Sequence, residues 1–363
     1  MTAPAGFALT ALLAFATTPA PWPPAALTHL VLAVGALPLI LAAMVHFTPV
    51  LTRSREAPGW VMRLPLLAMV AASLAVVAMG WQQWFLVGIA APIAMLAAAS
   101  LVGWMNRRAS RALGAPHPGL RWYQAALGCL LLALTAIVAA WLWPEHGSLL
   151  RGVHRHLNLL GFVGLAATGT LQVLLPTVGE YADPMASQRL RFDLKYALLG
   201  VLLLVVGATG VSWLTGLGLA AWGWVLGRLL YALRDLWPAL LRSGGAPLML
   251  FAAVPGFALA LASLLLPGGE VALPLFFALF LFPLVSGALA HLLPLWWWPG
   301  QPTPRRQMAQ QRLGRHVPLR LAAFWCGGGA LLFGETWGLY LITVPLLLLL
   351  GQIGWLLCTQ GAE

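Results

Sequence analysis

Residues 153–176 read VHRHLNLLGFVGLAATGTLQVLLP, and after Arg155 no charged residue appears before Pro176. About 20 mainly apolar residues cross a bilayer core as a helix. This stretch has that length, and its polar groups (His154, Arg155, His156, Asn158) crowd one end. Comparable stretches recur at 5–20, 24–49, 61–80, 83–105, 122–143, 195–214, 217–241, 246–266, 271–294, 317–334 and 336–359, separated by Pro, Gly and charge breaks. The expectation is an all-α membrane protein of twelve transmembrane helices, forming a single polytopic domain over 1–363.

Composition leads to the same class. Hydrophobic residues make up 61% and charged residues 8% of the chain, whereas soluble domains carry about 25% charged residues. The net charge of +11 does not indicate nucleic acid, because the arginines fall in short breaks between apolar stretches. Cys129, Cys326 and Cys358 stand singly with no CxxC spacing, which argues against a disulfide framework or a zinc ribbon. The N-terminus has no Lys or Arg before its apolar core and reads as a first span rather than a cleaved signal.

The basic residues set an orientation. Arg228 lies within the eighth stretch, and Arg151 and Arg155 precede or open the sixth. Every other Lys or Arg falls in or beside an even-numbered loop. By the positive-inside rule those loops are cytoplasmic. The chain is then a multi-pass protein of a bacterial cytoplasmic (inner) membrane with both termini in the cytoplasm.

The second, sixth and tenth stretches share a pattern. His29, His156 and Pro274 each stand 20 residues before a proline, Pro49, Pro176 and Pro294. Small residues (Ala42, Gly169, Gly287) lie 13 positions in, and small residues allow close helix contact in lipid. The ends read HFTP, VLLP and HLLP. Prolines and small residues are common in such helices, but three matches on the second helix of each four-helix block favour a repeat. The expected repeats are approximately 1–121, 122–243 and 244–363, in a pseudo-threefold arrangement.

Ionisable groups at membrane depth are costly and point to function. His29, His154 and His156 fall toward the outer leaflet, while His46 and His291 fall at the cytoplasmic ends of their helices. At about 1.5 Å per residue His29 and His46 are too far apart for one centre. All five are candidate metal ligands, since imidazole suits haem iron and copper. For His46 and His291, neutral interfacial histidines are an equally good reading. On a helix His154 and His156 point about 200° apart, so they serve one centre only if the segment is loop-like at His154. Arg151 and Arg155 flank the pair and fit either haem propionates or lipid headgroups. Asn158, Thr170 and Gln172 add polar groups farther along the same stretch. Arg228, with Tyr231 and Arg234 on its face, needs a partner or a wet cavity.

Twelve helices in three four-helix arcs, with histidines at the outer starts of the second and sixth, resemble subunit I of the haem–copper oxidase superfamily. The segment His154–Pro176 resembles the HxHLNLLGxxxLxxxGxxxxLLP stretch of its small, distant relatives. The layout is also similar to the NnrS family of haem- and copper-binding membrane proteins. The resemblance implies a b-type haem and copper as cofactors, with His29 in the place of a low-spin haem ligand and His156 or His154 in that of a copper ligand. The superfamily's histidine pair on helix 7 has no counterpart in 195–214, and Pro274 stands where helix 10 should supply ligands. An oxygen-reducing binuclear centre is therefore not expected. If the protein is an enzyme, it is an oxidoreductase; nitric oxide tolerance, electron transfer and assembly are the roles in view. The expected partners are the lipid bilayer, a redox protein or quinol, and a second copy of the chain, but no nucleic acid. The alternative is a transporter or handling protein for a metal ion or small molecule.

Overall fold

The computed structural model describes residues 22–266 and 271–360, and every regular element among them is helical. The main helices are α1 (Pro24–Thr52), α2 (Gly59–Gly80), α3 (Phe85–Ser110), α4 (Gly119–Leu142), α5 (Pro144–Val178), α6 (Ala186–Gly207), α7 (Ser212–Ala232), α8 (Ala246–Leu265), α9 (Ala272–Trp297), α10 (Pro304–Gly314), α11 (Val317–Leu332) and α12 (Gly338–Gln360). The expected first span, 5–20, lies outside the described residues.

Among the described residues eight helices are long and apolar enough to cross a membrane, or nine if α7 and the segment Arg234–Arg242, bent by 54°, form one span. Of the other two expected spans, 317–334 folds as α11, whereas 195–214 takes in the C-terminal part of α6, the turn at 208–211 and the first residues of α7. The N-terminal half of α6 carries Arg189, Arg191, Asp193 and Lys195, and α11 has only 16 residues. By length and composition these two fall short of the expected twelve. Leu66, Val70, Leu96, Leu132 and Leu202 are all more than half exposed. In water they would form large apolar patches; in lipid they are solvated.

The chain forms two compact units, Met1–Gln172 with Pro184–Trp222, and Val173–Asp183 with Gly223–Glu363. In the first, α5 is the central helix: 83% of its most apolar window is buried, against 33–50% for α1 to α4. In the second, α9 is central at 72%. Glycines let the helices close up. A Cβ on Gly161 of α5 would lie 2.6 Å from Cβ of Cys129 on α4, and one on Gly169 would lie 2.6 Å from Cβ of Trp122. In the second unit a Cβ on Gly287 of α9 would meet the Leu250 side chain of α8 at 2.9 Å. The α11–α12 turn needs Gly334 at φ 81°, where Glu335 N–H donates to Ala330 O at 2.9 Å and closes the helix end.

Helices α1, α5 and α9 share an irregularity that periodicity does not reveal. Each contains a π-helical segment, Leu30–Ala36, Leu157–Gly164 and Phe276–Leu281, at the same place. These begin immediately after His29 and His156 and just after Pro274–Leu275. Pro38 and Pro283 then open the α-helical continuation of α1 and α9. Each π turn widens the helix and rotates everything beyond it relative to the residues before it. Such turns concentrate at functional sites.

Candidate functional site

His154 and His156 sit in the first α-helical segment of α5, Gly147–His156, so His154 is helical and not loop-like. His154 and His156 accordingly leave the helix on different faces. The His154 imidazole reaches across to α4, where its Nδ1 donates to Ala133 O at 2.9 Å. A backbone carbonyl only accepts, so this bond places the ring proton on Nδ1 and the lone pair on Nε2. His156 uses its own helix: Nδ1 donates to Gly152 O at 2.9 Å. On α1, His29 does the same toward Ala25 O at 2.7 Å. All three imidazoles are thus held in one tautomer by main-chain acceptors, each with Nε2 as its electron-pair donor.

His29 is brought to His154. Their ring centroids are 6.1 Å apart and their planes are within 10° of parallel. The rings are stacked, so the pair brings two imidazole donors, each with its lone pair on Nε2, close together. Asn158 packs on this arrangement, donating from Nδ2 to His154 O at 2.8 Å with the same nitrogen 3.3 Å from both ring nitrogens.

The remaining candidates are dispersed. His156 does not join the pair in a larger cluster: among the described residues no group of three or more His, Cys, Asp and Glu is placed to hold a metal ion. Arg151 and Arg155 are exposed on α5, at the end that carries His154 and His156. His46 is exposed, edge-on to Phe47 at 5.1 Å. His291 lines a cavity of about 420 Å³ in the second unit with Ser243, Gln311 and Arg315. Arg228 lies 5.9 Å from the Trp224 ring and, one turn on, Arg234 lies 4.3 Å from the Tyr231 ring. Tyr123 on α4 meets Thr170 of α5 at 3.1 Å, hydroxyl to hydroxyl.

Two buried arginines escaped the sequence reading, which counted them only as topological charges. Arg189 of α6 donates to the Gln172 side chain and carbonyl oxygen, both at 3.2 Å, and fastens α6 to α5. Arg320 of α11 donates to Gln352 of α12 and to Leu313 O. The available signal was the glutamine: each of these amides interrupts an otherwise apolar helix face.

No known protein-family model matches the chain, and no curated protein matches it.

Proposed function

We propose that this chain is a haem- or copper-binding integral membrane protein, a relative of haem–copper oxidase subunit I that lacks the full ligand set. The observation that carries the reading is the His29–His154 pair, two nearly parallel imidazoles 6.1 Å apart with both Nδ1 atoms committed to backbone carbonyls. Metal-bound histidines characteristically donate their other ring N–H in this way, which fixes the ring and raises its basicity. In this reading His29 and His154 hold the metal, and Asn158 steadies His154. His156 is a reserve ligand on the opposite face of α5, and the exposed Arg151 and Arg155 are available to carboxylates such as haem propionates. Haem iron or copper supplies one-electron transfer or capture of a small gas when bound. The protein's own part is to orient two half-buried imidazoles.

The same reading takes the architecture as twelve spans in three four-helix repeats, with the first at 5–20. Three π segments at one repeat position support it. So does the placement of exposed tryptophans near helix ends, Trp81, Trp84, Trp141, Trp143, Trp213 and Trp337 at odd-numbered turns and Trp60 and Trp237 beside arginine-bearing loops. Such residues favour the membrane–water interface, and arginine-rich loops the cytoplasm. The membrane is then the bacterial inner membrane, with both termini inside.

The test is a pyridine haemochromogen assay with copper analysis on purified protein. Wild type is expected to carry haem or copper. His29→Gln and His154→Gln are each expected to lower it at least tenfold, His156→Gln by less, and His146→Gln not at all. Wild-type protein free of both, or full loading in both pair variants, refutes the proposal and makes the transport reading the leading one.

A further inference from the structure

In the second unit α10 ends at Gly314, and the chain turns through an extended Arg315 and a left-handed His316 (φ 63°) into α11. The turn sets Arg312, Arg315 and His316 along one side of a cavity of about 340 Å³. Leu347, Gly351 and Gln352 of α12 form the other side. Behind it Arg320 is fully buried. Its Nη2 donates to Leu313 O at 2.7 Å and its Nη1 to Gln352 Oε1 at 3.3 Å, while its Nε has no acceptor among the described residues. Gln352 in turn donates to Arg315 O at 3.3 Å, and the Arg312 guanidinium stands 4.6 Å over the Trp355 ring. Among the described residues no carboxylate pairs with Arg312, Arg315 or Arg320.

A buried guanidinium answered only by neutral oxygens is incompletely compensated. Arg312 and Arg315 line the cavity in front of it and add to the positive potential there, which favours an anion. The arginine fork matches phosphate oxygens two at a time. The volume lies at the small end of the range for ligand sites, about 300–1,000 Å³. The apolar wall identifies the source. Leu347 is 57% exposed, and Val344 and Tyr340, one and two turns back along α12, are exposed as well. They form an apolar strip leading from the cavity along the helix. Basic pockets between membrane helices are where lipid phosphates bind.

We propose that this cavity is a phosphate site that takes the headgroup of an anionic lipid, with Arg312 and Arg315 gripping the phosphate, Gln352 and Arg320 holding the wall behind it, and an acyl chain lying along Leu347, Val344 and Tyr340. The proposal does not depend on whether the histidines hold a cofactor.

The experiment measures the thermal midpoint of full-length protein in a neutral detergent against added phosphatidylglycerol, phosphatidylcholine or inorganic phosphate, with native mass spectrometry counting retained lipid. Phosphatidylglycerol alone is expected to raise the midpoint and to be retained. Arg315→Gln is expected to require about tenfold more of it, and Arg312→Gln with Arg315→Gln more still. Both residues are at least partly exposed, so their replacement spares the fold. If inorganic phosphate reproduces the shift with the same sensitivity, the phosphate site stands and the lipid source is overturned. Equal shifts from both lipids, no shift and no retention, or an undiminished effect in the double variant overturn the site itself.

Discussion

Placing one methyl group on Gly161 tests the geometry that aims the histidines. Gly161 lies in the π segment of α5, and a Cβ there would stand 2.6 Å from Cβ and 2.8 Å from Sγ of Cys129 on α4. Ordinary carbon contacts are about 3.5–4.0 Å, so the two helices must part by about 1 Å or one of them must bend. Overpacking of this kind costs about 1–3 kcal/mol. The same movement lengthens the 2.9 Å bond from His154 Nδ1 to Ala133 O, which ties these helices together seven residues away, and losing it adds about 1 kcal/mol. Gly161→Ala is therefore expected to destabilise by about 2–4 kcal/mol in all, measured by unfolding in mixed micelles, and to lower bound haem or metal. The control is Gly128→Ala, one residue from Cys129, where an added Cβ meets nothing within 4 Å. There the change should be neutral or stabilising by up to about 1 kcal/mol through helix propensity. Cys129→Gly combined with Gly161→Ala removes both clashing atoms and should recover much of the loss. Gly161→Ala protein as stable as wild type would show that α4 and α5 do not meet as described.

Three further outcomes are expected. Gln172→Leu removes both the side-chain acceptor of Arg189 and the amide's own polarity, and should cost about 1–3 kcal/mol; an unchanged unfolding midpoint would remove the α5–α6 clamp. His117, in the loop before α4, accepts the Gly119 N–H at Nδ1 over 3.1 Å, and burial holds its pKa below the usual 6.5. The unfolded chain then binds the extra proton first, so its contribution to stability is complete above pH 6.5 and is lost as pH falls through the lower folded value; His117→Gln should flatten that acid limb, and a limb unaltered in the variant would count against it. Reporter fusions after Arg63, Arg121, Lys195 and Gly300 should all report cytoplasm, because arginine-bearing loops favour that side; a periplasmic signal at either middle position would break the twelve-span topology.

Membrane class was legible in the sequence because it depends on length and composition alone: a segment either has enough apolar residues to cross lipid or does not. The helices α1 to α9, α11 and α12 accordingly fall on stretches read from Pro, Gly and charge breaks, and the helical divergence of His154 and His156 followed from the period of the α-helix. The shared spacing of His29, His156 and Pro274 before a proline coincides with the starts of the three π segments. Which histidines meet was not legible, because α1 and α5 are far apart in sequence and their facing depends on how the π turns rotate each helix. Only the tertiary structure set His29 against His154 and left His156 on its own helix. It alone separated exposed arginines from Arg189 and Arg320, which are buried and held by glutamines. A count of charges measures preference for one side of a membrane; whether a given guanidinium is desolvated depends on which helix packs over it, and that is fixed by contacts between residues distant in the chain.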